Sequence, residues 1–507
     1  MKESRTQKVK KNIVYAVISQ FIKAFLLFLS RIIFARVLGP EYLGINGLFS
    51  NVLTVLSLAD LGMTTAMMFS LYKPLADNNF ILIQKYMKFF GKIYNIIAIV
   101  IFFVGVSLIP FLKYIVNLPS NVNNIYIYYL ILLLNSVLSY LFIYKTTLLA
   151  ADQKMYIINK YDTFIQIFQF ALQLLMLLLF HSFILYLSIQ VVCTLLGNIL
   201  KVLSVNKMYP YLNNGIDDEL SRNEKKDIFN NIKSLFFYKL GGIIQSNTDN
   251  VLISIFVGTI VVGYYSNYNL IILQIINFVT IVFTAIKATI GNYNVDSSIE
   301  EQYNMFNRLE FFNFILVGFS SIYLLFLVPD FISLCFGKEY VINFLCYVFI
   351  ILNYYTANIR QTLWIYRETS GIFEKTKYIT IITAFFNIIF SIILGKLFGL
   401  LGIVSATVIS RMIYAWWKEP IIIFRDVFSK SSKEYFKKYI IRLLFILIIS
   451  FILYFTFLFI KIDNIIILLI IKFLIISVLL FICFIAFFFK KDEFKFFKNK
   501  LLGDKHE

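Results

Sequence analysis

The stretches VLGPEYLGINGLFSNV (37–52) and FVGTIVVGYYSNYNLI (256–271) place Gly39 and Gly44 opposite Gly258 and Gly263, both pairs 219 residues apart. Each stretch closes one long apolar run and opens the next. NKYDTFI (159–165) returns as TKYITII (376–382), setting Lys160 and Tyr161 opposite Lys377 and Tyr378 at a spacing of 217, with Lys201 opposite Lys418. Glycine in a tight connection is common on its own. A nearly shared spacing across several features argues for an internal repeat.

The runs between these motifs set the class of the chain. Of its 507 residues, 60% are hydrophobic and 15% charged, whereas soluble domains have roughly 45–50% apolar and about 25% charged residues. A bilayer-spanning helix takes about 20 mostly apolar residues. Fourteen such spans are read at 12–38, 46–72, 90–112, 124–149, 162–181, 183–206, 234–257, 263–288, 309–328, 340–366, 378–398, 400–423, 440–460 and 464–489. The expected fold is therefore an all-α polytopic membrane protein of about fourteen helices. The basic start, MKESRTQKVKK, precedes a run too long for a signal core and without a small-residue cleavage site, so it is read as a mature span.

An even span count puts both termini on one side. Counting the loops together with the span ends, that side carries 35 Lys and Arg residues and the other side 5, which by the positive-inside rule makes it cytoplasmic. The net charge of +19 is thus an orientation signal, and no nucleic-acid partner is expected. Six spans per repeat is even as well, so the copies share one topology and a substrate site is expected between them. The expected division is an N-terminal bundle at 1–212, a polar cytoplasmic linker at 213–233, a C-terminal bundle at 234–430, and an extra two-helix segment with a basic tail at 431–507.

Cys193, Cys335, Cys346 and Cys483 have no ligand-like spacing and read as buried thiols. No metal site or cofactor motif is found. Histidine occurs only at 181 and 506, and His181 reads as an interfacial turn residue. A membrane polymerase or glycosyltransferase would need acid/base groups on large outer loops. The outer loops here are short, so the chain is not expected to be an enzyme.

Seven basic residues remain once the span ends are set aside: Lys23, Arg31, Lys239, Arg360, Arg411, Arg442 and Lys472. A charge at the bilayer centre costs at least about 2.5–3.5 kcal/mol on insertion scales, so each needs a reason. Lys239, Arg411, Arg442 and Lys472 lie within snorkelling reach of an interface. Lys23 lies near mid-span, on one helical stripe with Asn12, Ser19 and Ser30 and flanked by Gln20 and Arg31. A similar stripe through Ser234, Tyr238, Gly241, Gln245 and Thr248 opens the second repeat, and Arg360 shares a face with Asn353 and Ala357. Such stripes serve either as inter-helix hydrogen bonds or as the wall of a wet cavity. The acids within the spans are read as Asp60 and Asp249. A cation-rich cavity attracts an anion, and arginine's planar fork suits phosphate. Candidate anion contacts are therefore Lys23, Arg31, Arg36, Arg360, Gln20 and Gln245, with Arg36 also readable as an interfacial anchor.

ARVLGPEYLG, LADLGMTTA and NTDNVLISIFVGTIVVGYYSNYN together resemble the polysaccharide transporter (Wzx-type flippase) branch of the multidrug/oligosaccharidyl-lipid/polysaccharide exporter superfamily, over roughly residues 10 to 430. The resemblance implies a V-shaped pair of six-helix bundles with two extra helices. It also implies inner-to-outer translocation of undecaprenyl-diphosphate-linked oligosaccharide units for capsule or exopolysaccharide. Implied partners are that lipid-linked oligosaccharide, membrane lipids, other glycan-assembly membrane proteins, and Na+ or H+ as a coupling ion, with Asp60 and Asp249 as its candidate site. A cation-coupled multidrug exporter of the same superfamily is the alternative.

Overall fold

A computed structural model of the chain describes residues 5–502 apart from 57–61, 118–121, 123, 214–217, 223, 227, 230–231, 233–247 and 371. The described residues form helices and turns without a strand. They divide into two compact units, Met1–Gly263 and Tyr264–Glu507.

In the first unit, α1 (Arg5–Leu38), α2 (Pro40–Leu56), α3 (Met63–Ala76), α4 (Phe80–Ser107) and the short α5 (Leu112–Ile115) are followed by α6 (Ile125–Tyr140), α7 (Ile143–Ala151), α8 (Met155–Phe180) and α9 (Phe183–Met208). The helical residues 248–256, termed α10, and the opening turn of α11 (Thr259–Asp296) complete it. The second unit holds the rest of α11, then α12 (Ile299–Phe336), α13 (Phe344–Asn358), α14 (Gln361–Thr369), α15 (Phe373–Phe398), α16 (Leu400–Ser410) and α17 (Trp416–Asp426). It ends with α18 (Lys433–Leu458), α19 (Ile465–Phe488) and α20 (Asp492–Leu502).

The repeat is visible in the helix ends. A shift of 218 residues carries α7 onto α14 at both ends, α8 onto α15 at both ends, and the last residues of α6 and α9 onto those of α13 and α17. Between α16 and α17 lies a π-helical turn, Arg411–Ala415. It absorbs the one residue by which Leu400–Asp426 exceeds α9, as π turns generally accommodate an insertion. The structure thus moves the later motif matches by one place: Lys160 falls opposite Tyr378 and Lys201 opposite Glu419, where the sequence alignment paired Lys160 with Lys377 and Lys201 with Lys418.

Both repeats break a span at the same point. α6 and α7 bend by 43° at residues 141–142, and α13 gives way to α14 at residues 359–360. A broken helix leaves carbonyls that must be satisfied in an apolar surround. In the first repeat Asn198 on α9 donates to the Leu138 carbonyl at 3.1 Å. In the second, Asn313 on α12 donates to the Asn358 and Ile359 carbonyls at 3.2 and 2.8 Å.

Among the described residues nine helices are long and apolar enough to cross a membrane, ten with the bent α6–α7 pair. All ten coincide with spans read from hydropathy. The remaining four fall at 12–38, 46–72, 234–257 and 340–366. The first three include residues or side chains outside those described. The last is the pair α13 and α14, each too short to cross alone.

The quoted glycine motifs meet in the first unit. Gly39 and Gly258 take φ of 89° and 132°, which an L side chain resists. A Cβ on Gly44 would lie 2.0 Å from the Thr259 carbonyl oxygen, and one on Gly263 2.9 Å from the Gly44 nitrogen. Thr259 is fixed from the other side, donating to the Asn117 carbonyl and accepting from the Asn117 N–H, both at 2.9 Å. This packing draws residues 256–263 into the first unit, so the division falls later than the expected linker at 213–233. Described parts of that linker are clamped to α4 by Lys85–Asp218 and Lys92–Glu219 ion pairs at 3.0 Å.

The extra helices are built into the second unit. Arg442 on α18 pairs with Glu310 on α12, both buried, and stacks over Phe311 and Phe314. Lys472 on α19 pairs with Asp330 on α12 at 2.6 Å. In lipid an ion pair spares each charge the cost of standing alone.

Candidate functional site

The polar stripe of α1 faces α8 and α9. Ser19 is buried and accepts from the Thr163 hydroxyl at 2.6 Å, and Ser30 Oγ lies 3.4 Å from the Tyr186 hydroxyl. These two serve as inter-helix hydrogen bonds. Lys23, between them, does more. Its Nζ is 3.6 Å from Asp162 Oδ2 on α8, while Lys201 Nζ from α9 is 3.0 Å from Asp162 Oδ1.

These three charges stand on the wall of a cavity of about 400 Å³ inside the first unit, lined also by Phe142 at the helix break and by Gln166, Gln169 and Asn198. Two ammonium groups share one carboxylate, so the wall is net positive by one charge. The Lys23 and Asp162 side chains keep 26% and 34% of their exposure and Lys201 15%, which leaves the charges reachable from the cavity. The volume falls in the range of small-molecule sites, about 300–1,000 Å³.

Of the other sequence candidates, Gln20 and Arg31 are half-buried and Arg36 is exposed, all on α1. Asp249 is buried on α10. Asp60 and Gln245, with Lys239 and most of the second stripe, lie outside the described residues. Arg360 is placed differently from the sequence reading. It is buried and bonded to Glu419, whose other oxygen accepts from Arg367 Nη1 at 2.8 Å. Glu419 thus neutralises part of a cluster that hydropathy counted as free positive charge.

Glu419 and Glu310 also correct the inventory of acids within the spans, which named only Asp60 and Asp249. Each is the one carboxylate within its span as read from hydropathy, a signal open to the same reasoning that singled out Lys23. The snorkelling expectation yields to pairing for three basic residues. Arg442 meets Glu310 and Lys472 meets Asp330, while Arg411 donates to the Asn353 carbonyl and side chain and to Thr356 at 2.7–3.1 Å. Asp162 and Lys201 were missed because hydropathy put both at the ends of spans, where charges were counted with the adjoining loops. The helices extend past both, making Asp162 the eighth residue of α8 and Lys201 the nineteenth of α9.

His181 takes φ of 47° and ends α8, with Ser182 accepting from the Leu185 N–H at 3.4 Å to start α9. It is a turn residue, away from the cavity wall. Among the described residues no group of three His, Cys, Asp or Glu could hold a metal.

Two repeats of long apolar helices, with a charged cavity inside the first, define a multi-pass membrane protein. Residues 9–287 match the family of polysaccharide biosynthesis proteins, and the chain belongs to that family. Its fold is similar to that of the lipid II flippase MurJ in an inward closed conformation, at TM-score 0.69 and 18% identity, covering 94% of this chain and 99% of that one. It is also similar to a Vibrio cholerae MATE transporter, at TM-score 0.58 and 12% identity over 84% and 98% of the two chains. An inward-facing multidrug resistance MATE transporter of the MOP superfamily matches at TM-score 0.55 and 15% identity, over 79% and 95%. No curated protein matches the chain in sequence.

Proposed function

We propose that this protein is a flippase moving undecaprenyl-diphosphate-linked oligosaccharide units from the inner to the outer leaflet for capsule or exopolysaccharide, by alternating access. The observation that carries the reading is a coincidence in one chain: membership of the polysaccharide biosynthesis family, and a fold shared along nearly the whole length with a lipid II flippase. The basic residues of α1 support it. Arg31 and Arg36 put cations along a helix whose centre is costly for charge, and a diphosphate is the part of such a substrate that would engage them, while Lys23 stands on the cavity wall. In this reading both termini are cytoplasmic and Asp249 with Asp60 is the candidate for ion coupling. A drug exporter of the superfamily shares the fold but gives no use for cations along α1.

The test is deletion in the native cell followed by leaflet-resolved lipid analysis. Lipid-linked repeat units should build up on the cytoplasmic leaflet. Build-up on the outer leaflet would indicate a polymerase, and an unchanged lipid pool would remove the reading.

A further inference from the structure

The 218-residue shift sets the cavity of the first repeat against its counterpart in the second. Phe142, at the first helix break, corresponds to Arg360 at the second. Asn198 corresponds to Trp416, and Lys201 to Glu419. In the second repeat Arg360 and Glu419 close on one another and are 6% and 0% exposed, with Trp416 packed on Phe436 and Tyr439 beside them. The same helical frame can therefore be filled and charge-compensated. In the first repeat it lines an open, partly polar cavity whose wall carries an unbalanced positive charge.

We infer that this first-repeat cavity binds one acidic sugar residue, with the carboxylate held by Lys201 and Lys23. The charge sets the ligand's sign and size of charge. A partly buried wall at +1 is best neutralised by a single negative group, and a metal cation would add to the excess. The Asp162 carboxylate spans the two ammonium groups, at 3.0 and 3.6 Å, and so occupies the position an incoming carboxylate would compete for. The Lys23 contact is the longer and the first to yield. Gln166, Gln169 and Asn198 supply amide donors and acceptors of the kind that sugar hydroxyls take. The inference rests on the flippase reading for the physiological source of such a sugar, the repeat unit itself. The binding chemistry stands independently.

The test uses the full-length protein in detergent, with glucuronate titrated at constant ionic strength and melting temperature as the readout. Glucuronate should raise the melting temperature saturably, and glucose should not. Lys201→Met should weaken the effect by about tenfold or more, the scale of one charge-assisted hydrogen bond. Thr194→Met, which fills the cavity without removing a charge, should abolish it. Asp162→Asn, which removes the internal competitor, should tighten glucuronate binding. The inference is overturned if glucuronate has no effect, or if its effect survives in both Lys201→Met and Thr194→Met. It is also overturned if pyrophosphate binds far more tightly than glucuronate, since the occupant would then be the lipid diphosphate, or if sodium stabilises the protein and Asp162→Asn abolishes that. Glucuronate binding without lipid build-up on deletion would sink the flippase reading and leave the site standing.

Discussion

Lys201 and Glu419 stand at the same place in the two repeats, 218 residues apart, and carry opposite charges. Lys201 reaches across to Asp162 on the wall of a cavity, whereas Glu419 is fully buried between Arg360 and Arg367. One helical arrangement has been given a polar opening in its first copy and a closed ionic core in its second.

The closed core should be sensitive to losing its acid. Glu419→Gln leaves Arg360 and Arg367 buried without their carboxylate, and breaking a buried pair this way costs about 3–5 kcal/mol. The melting temperature in detergent should fall sharply. Replacing all three residues together by Met or Leu should restore most of it, because a well-packed apolar substitute is often neutral.

At the glycine crossing of α2 and α11, Gly44→Ala drives a methyl group toward the Thr259 backbone oxygen at 2.0 Å. Overpacking of this kind typically costs about 1–3 kcal/mol, and backbone cannot rotate away as a side chain can. Gly91→Ala is the control. Its nearest neighbour is the Tyr144 ring at 3.4 Å, so its stability should stay close to that of the parent protein.

The linker clamp should respond to acid. Hydrogen bonds from Lys225 and Lys92 hold Glu219 down to about 2 from the ordinary 4.5. A lowered carboxylate pKa contributes stability that is complete above its unfolded value and is lost as the pH falls through the folded one. Protease cleavage around residues 218–226 should therefore stay slow from neutral pH to about 5 and accelerate below that, approaching its full rate near pH 2. Glu219→Gln should cleave faster at neutral pH, and added salt should narrow the difference because these groups are exposed.

Lys23→Ala should lower glycan export by about tenfold, the worth of one charge-assisted hydrogen bond, with protein abundance on an immunoblot unchanged. Lys113→Ala on α5, which lies outside the cavity wall, should export at the parent rate.

The fold was legible because lipid imposes a simple code. Ten apolar runs became helices where hydropathy put them, and the Gly39/Gly44 and Gly258/Gly263 motifs announced the repeat. The site was less legible, for a physical reason. Lys23 could be singled out because its depth is costly, but its partner Asp162 is eighth in α8, where hydropathy saw only a span edge. Arg360 looked like a free cation because its partner Glu419 lies 59 residues away. Hydropathy sums over neighbours in sequence, while charge compensation is settled between helices, and the residue absorbed by the π turn at Arg411–Ala415 hid the equivalence of Lys201 and Glu419.

The central claim, that the chain carries a lipid-linked oligosaccharide across a bilayer, is tested most directly by reconstitution. The purified protein is placed in liposomes with a fluorescent undecaprenyl-diphosphate oligosaccharide, and an impermeant glycosidase is added outside. The account predicts that protein-containing vesicles expose the inner-leaflet pool to cleavage, and that Lys23→Ala slows this. A cleaved fraction that stays at its protein-free level, with the vesicles intact and the protein folded, would contradict it.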